Sequence, residues 1–112
     1  TGASGYFIRI VSTQKIQMEL TDAAGADAVN VTSSDTWTNQ AWHMAAFWFD
    51  SVAGIGYVQI DNGTLTSAAK TGTPTAGTNA FRIGGRNDGA GAVYFDGRLA
   101  GASMWAKGLS AA

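Results

Sequence analysis

Trp42-His43-Met44-Ala45-Ala46-Phe47-Trp48-Phe49-Asp50, followed by Tyr57-Val58-Gln59-Ile60-Asp61-Asn62-Gly63, is the stretch on which the fold is decided. Its first half is dense in aromatic side chains and has no helix caps, so it reads as a strand. Its second half sets Val58 and Ile60 against Tyr57, Gln59 and Asp61, with the period of two of a pleated strand. Between them, Ser51 to Gly56 carries two glycines, enough for a hairpin connection. Asp61-Asn62-Gly63 predicts a tight turn, because Asn and Gly tolerate positive φ at low cost. In the first half, alternation points Trp42, Met44, Ala46 and Trp48 one way and His43, Ala45, Phe47 and Phe49 the other. Both faces are apolar, which an antiparallel sheet with one wet face does not require. One face is core. The other is covered by a loop or forms a contact patch through Met44 and Trp48, joined by Trp105.

Outward from this hairpin the chain reads as more sheet. Tyr6 to Val11 is a strand with two largely apolar faces, and Ser12 to Gln14 is a turn. Lys15 to Thr21 alternates, with Ile16, Met18 and Leu20 on the dry face and Lys15, Gln17, Glu19 and Thr21 on the wet one. Ala28 to Thr32 is a short strand through Val29 and Val31, and Ser33 to Ala41 is a polar loop carrying Trp37. Beyond the Asn62-Gly63 turn, Thr64 to Ala69 is a return strand anchored by Leu65. Lys70 to Asn79 holds the only proline and is a surface loop. Ala80 to Gly84 predicts a strand, Gly85 to Gly91 a glycine-rich loop, and Val93 to Lys107 a last strand bent at Gly97. Leu109 to Ala112 hints at a helical turn. About eight strands with regular turn signals predict an all-β fold, an antiparallel β-sandwich, with a barrel as the rival.

The 112 residues are expected to make one domain, and with Thr1 at the start in place of Met the chain is expected to be a processed or excised piece of something longer. There is no cysteine, hence no disulfide and no thiolate metal site. A net charge of −1 with 13% charged residues argues against nucleic acid and anionic membranes as partners. No apolar run approaches the roughly 20 residues of a spanning helix, so membrane insertion is not expected. The neutral Gly/Thr/Ala-rich surface is of the kind common on extracellular, cell-surface and virion-surface proteins. Asn30-Val31-Thr32 and Asn62-Gly63-Thr64 fit the N-glycosylation pattern, which Thr-rich chains also produce by chance.

Five pieces in order carry a resemblance. They are Trp42-His43-Met44-Ala45, Tyr57-Val58-Gln59-Ile60-Asp61-Asn62-Gly63, Phe81-Arg82-Ile83-Gly84-Gly85, Tyr94-Phe95-Asp96-Gly97-Arg98-Leu99 and Leu109-Ser110. Together they resemble the concanavalin A-like lectin/glucanase superfamily, in its laminin G-like branch. The resemblance implies a jelly-roll sandwich of two curved sheets that binds carbohydrate or protein more often than it catalyses. Two departures stand out. Members commonly carry an acidic pair after Gly-Arg-Leu, where this chain has Ala100 and Gly101. The chain is also short by roughly a quarter of a usual domain, so the sandwich is trimmed or is completed by a neighbouring chain.

The candidate sites follow from the chemistry each would need. Glycoside hydrolysis needs two carboxyl groups, and Glu19 is the only glutamate, on a wet strand face. No catalytic residues are assigned and no enzyme is expected. Calcium needs several hard oxygens, for which Asp61, Asn87 and Asp88 are the candidates, although Asn, Asp and Gly also suit plain turns. Sugars offer C–H faces to aromatic rings and hydroxyls to amides and carboxylates. Trp37 with Asn39, and the Arg86-Asn87-Asp88 loop, are the ligand-site candidates, with Trp37 folded back as a lid on the core as the alternative. Two functions stay open. One is a non-catalytic carbohydrate-binding or adhesion module that takes a glycan or glycoprotein. The other is a structural subunit of a capsid, fibre or shell, assembling as a homo-oligomer or against a neighbouring domain.

Overall fold

The computed structural model describes residues 5–11, 13–77, 82–87 and 92–105. Two antiparallel three-stranded sheets form the body. The first runs β1 (Tyr6–Val11), β2 (Lys15–Thr21), β3 (Asp27–Thr32), and the second β4 (Ala45–Asp50), β5 (Ile55–Ile60), β6 (Thr66–Ala69). A third, two-stranded sheet pairs β7 (Gly85–Asn87) with β8 (Ala92–Tyr94). There is no helix among the described residues. The all-β sandwich is therefore the fold.

Residues paired directly across an antiparallel ladder share a face. Met18 opposes Val31, and Phe47 and Phe49 oppose Val58 and Gly56. These inward rows, with Ile16, Val29 and Ile60, form one core between the sheets, against which Leu20, Trp37, Phe47, Phe49 and Ala68 pack. Gly56 sets the closest approach. A Cβ there would lie 2.6 Å from Val29 Cγ1 and 2.7 Å from Met18 Cε, so only a bare backbone lets the sheets meet. Tyr6, Ile8 and Ile10 turn to the same side yet remain exposed, so the core sits over β2 and β3 rather than β1. The outer face of the first sheet is a polar ladder. Arg9 donates to Gln17 at 2.6 Å and to Glu19 at 2.8 Å, and Gln17 donates to Asn30 at 2.8 Å.

Four expectations are corrected. The strand expected from Trp42 begins at Ala45, because the Asp61 carboxylate captures the Met44 N–H at 2.9 Å and leaves Trp42 in the loop before it. The expected Gly85–Gly91 loop opens as β7, since Gly84, at φ +81°, turns the chain and its carbonyl accepts the Phe95 N–H at 2.8 Å. Arg82 to Gly84 are not strand, while Ala80, Phe81, Asp88 and Leu109–Ala112 lie outside the described residues. The last strand stops at Tyr94. Gly97 lies against the Phe95 ring and Gly101 adopts φ +64°, and residues 95–105 run as irregular chain.

Candidate functional site

The loop 33–44 joins the two sheets and is tied down along its length. Ser33 is buried; its Oγ accepts the Ile16 N–H at 3.2 Å and donates to the Asp35 carbonyl at 2.7 Å. The Ser34 N–H donates to Thr66 Oγ1 on β6 at 2.9 Å. The Asp35 carboxylate takes the Thr64 N–H just beyond the β5–β6 turn, and the Trp37 N–H reaches the Gln14 carbonyl at 2.9 Å. Apart from the Ser33–Asp35 bond within the loop, these bonds cross to different strands or turns, so the loop is held as a shaped ledge.

His43 closes the ledge. Its Nδ1 lies 2.8 Å from Asp61 Oδ2, and its Nε2 lies 3.0 Å from the Thr38 carbonyl. The other Asp61 oxygen receives the Met44 N–H, while the Asp61 N–H donates to the Met44 carbonyl at 2.7 Å. Asp61 can serve this way because the predicted turn places it at φ +53°, a conformation aspartate tolerates. The hydrogen bond from Asp61 raises the His43 pKa above the ordinary histidine value, opposed in part by desolvation. The same bond, joined by the Met44 amide, holds the Asp61 carboxyl below the usual aspartate value.

The two loop tryptophans face opposite ways. Trp37 packs inward against the core, meets the His43 ring edge-on at a centroid distance of 6.2 Å, and buries its Nε1 without a hydrogen-bond partner. Of the two alternatives, this is the lid. Trp42 instead stands 67% exposed, with Thr38, Asn39 and Gln40 also at the surface and Asn62 exposed in the turn that His43 grips. Sequence reasoning passed over Trp42 because it continues an apolar run. The polar Thr38-Asn39-Gln40 turn before it was the available signal, and Gln40 indeed takes φ +66°.

Of the other candidates, Arg86 and Asn87 belong to β7, on a two-stranded sheet hydrogen-bonded to neither of the larger ones among the described residues. Asp88 lies outside the described residues. Asp61 has both carboxylate oxygens engaged. Among the described residues no group of three or more His, Asp or Glu converges as a metal cage. Trp48 lies on the outer face of the second sheet, stacked on Tyr57 with centroids 5.0 Å apart and planes at 13°, its Nε1 buried and unpartnered. Met44 and Trp105 stand 62% and 70% exposed. The Glu19 carboxylate pairs with Arg9 at 2.8 Å.

Two facing antiparallel sheets joined by a stapled inter-sheet loop define an antiparallel β-sandwich. The chain belongs to the concanavalin A-like lectin/glucanases superfamily, through a laminin G family model that matches residues 1–112. Such domains are in general carbohydrate-binding or adhesion-type modules and are generally non-catalytic, while the wider superfamily includes glycosidases. No curated protein and no solved structure matches the chain.

Proposed function

We propose that this chain is a non-catalytic glycan-binding module of an extracellular or virion-surface protein, and that Trp42 is its platform. The carrying observation is the exposed indole of Trp42 on a loop fixed at both ends. A rigid aromatic face stacks on the C–H face of a sugar ring without losing much conformational freedom on binding. Asn39 and Gln40 on the loop and Asn62 on the adjoining turn supply amide donors and acceptors for hydroxyls. Neither calcium nor a second carboxyl is needed for this chemistry.

A glycan-array screen in calcium, repeated in chelator, tests the proposal. Specific binding that survives chelation and is lost in Trp42→Ala, with melting unchanged, is the expected result. Binding that Trp42→Ala leaves intact overturns the platform, and binding that chelator abolishes moves the site to a calcium centre.

The assembly reading keeps one specific support, the exposure of Met44, Leu99, Met104 and Trp105. Large exposed apolar side chains are what subunit contacts cover. Under that reading the native mass exceeds one chain and falls to one chain in Trp105→Asp.

A further inference from the structure

The turn between β5 and β6 carries the only Asn-Gly pair in the chain, Asn62-Gly63. The other asparagines, Asn30, Asn39, Asn79 and Asn87, are followed by Val31, Gln40, Ala80 and Asp88. Asparagine is a chemically labile residue. A glycine after it leaves the next backbone nitrogen unshielded by a side chain. Asp61, Asn62 and Gly63 are all exposed at the tip of the turn. One backbone bond guards that nitrogen, from the Gly63 N–H to the Ile60 carbonyl at 3.0 Å. A single exposed bond at a loop tip opens locally, without unfolding of the sheets. On either side of Asn62 the chain is anchored. Asp61 Oδ2 lies 2.8 Å from His43 Nδ1 and Asp61 Oδ1 takes the Met44 N–H at 2.9 Å, at the end of the ledge. The Gly63 carbonyl accepts from Gln59 Nε2 at 2.7 Å, and the Thr64 N–H donates to the Asp35 carboxylate, at the start of the ledge.

We propose that Asn62 is a site of spontaneous deamidation, with water as the co-reactant, and that its isoaspartyl product releases the start of the ledge from the β5–β6 turn. The Gly63 N–H gives its proton to a solvent base, and the nitrogen attacks Asn62 Cγ. The N–Cγ bond forms, the Cγ–Nδ2 bond breaks, and Nδ2 takes a proton from water and leaves as ammonia. The succinimide ring so formed takes up water. Opening at one carbonyl gives aspartate and opening at the other gives isoaspartate, so amide and water become acid and ammonia. The aspartyl product keeps the backbone and exchanges an amide for a carboxylate. The isoaspartyl product routes the main chain through Cβ and Cγ, which adds one bond of about 1.5 Å. The added atom falls inside the ring that the Gly63 N–H closes with the Ile60 carbonyl, and both neighbours of Asn62 are already pinned. Hydrogen bonds hold only to about 3.2 Å, so the lengthened ring opens. Gly63 already lies against the Asp35 carboxylate, where even a Cβ does not fit, so its displacement carries Thr64 off Asp35. The ledge that presents Asn39, Gln40 and Trp42 then loses its anchor to the turn at Asp35. Only the consequence for binding rests on the glycan-binding reading; the site and the loosened ledge stand without it.

Ageing the whole chain at mildly alkaline pH, separating the more acidic fractions by ion exchange and mapping them by peptide mass spectrometry tests the site. Conversion is expected at Asn62 ahead of every other asparagine, as a mixture of aspartyl and isoaspartyl forms, and the leading acidic fraction is absent from Asn62→Gln. Conversion led by another asparagine, or conversion at Asn62 only when the chain is unfolded in urea, overturns the site. The amide chemical shifts of Ser34 and Asp35 read the ledge. They are expected to move in the isoaspartyl fraction and to stay near their native values in Asn62→Asp, which copies the charge of the aspartyl product without the added atom. Shifts that move equally in both, or in neither, overturn the loosened ledge. A glycan identified on the array is expected to bind the isoaspartyl fraction about tenfold more weakly than the unaged chain, an ordinary coupling between separate sites. Unchanged affinity with a loosened ledge overturns the link to binding. A loosened ledge in a chain that binds no glycan before ageing upholds the site and sinks the glycan reading instead.

Discussion

Trp37 and Trp42 show what one side chain decides. Both sit in the same loop, and both carry the same indole. Trp37 packs inward against the core, with its backbone N–H fixed to the Gln14 carbonyl. Its loss removes a partly buried ring, so Trp37→Ala is expected to lower stability by about 2–4 kcal/mol, below the fully buried range for part of its surface. Trp42→Ala is expected to leave the denaturant midpoint within experimental error, since Trp42 is 67% exposed. Chemical denaturation of the two variants side by side separates lid from platform. The His43–Asp61 pair adds a pH dependence. His43 gains a partner and its folded pKa is raised, so its stabilisation is complete below histidine's ordinary value of about 6.5 and is lost as pH climbs through the folded value. Asp61 works in the other direction. Its stabilisation is present above the ordinary aspartate value and is lost as pH falls through the depressed folded value. The melting temperature of the native chain relative to His43→Gln is thus expected to be greatest in the mildly acidic window between the two.

At the scale of the element, β5 does the most. Gly56, Val58 and Ile60 face the core while Tyr57 and Gln59 face out, as period two demands. Gly56 is the position where the strand has no room for a side chain. Gly56→Ala drives a Cβ into Val29 and Met18, and while the Met18 methyl end can swing aside, the branched Val29 cannot. The expected cost is about 1–3 kcal/mol, read as a lower urea midpoint with an unchanged slope. The turn that follows is tuned in the same way. A Cβ on Gly63 would strike the Asp35 carboxylate, so Gly63→Ala is expected to displace the loop ledge and weaken glycan binding even where the sheet survives. Amide chemical shifts of Ser34 to Asp35 would register that displacement.

At the scale of the molecule, the core is narrow among the described residues. It spans β2, β3 and β5, while the inward row of β1 and the side chains of Ile83, Tyr94, Leu99, Met104 and Trp105 remain exposed. Exposed apolar area of this extent favours contact with something else. If the sandwich is completed by a second copy, the native mass should depend on protein concentration, and sedimentation over a wide concentration range measures it. A single-chain mass at every concentration would remove the homo-oligomer and leave a neighbouring domain or none.

Much of the sheet was legible residue by residue. Lys15–Thr21 and Tyr57–Ile60 alternate in the sequence as they do in space, because the pleat imposes a period of two whatever the surroundings. The Asp61-Asn62-Gly63 turn was legible as a turn, although the positive φ falls on Asp61, at +53°, and not on the Asn62-Gly63 pair expected to take it. The sequence by itself therefore determined the strands of the two main sheets, the central hairpin and the family. It did not determine which loop tryptophan faces water, where the strand after Trp42 begins, or what His43 holds. Those were decided by contacts between residues far apart in the chain: Asp61 with His43 and Met44, Asp35 with Thr64, and Trp37 with Gln14. A local pattern records what a residue's neighbours along the chain require. The partner that captures its hydrogen bonds from across the sandwich exists only once the sheets have packed.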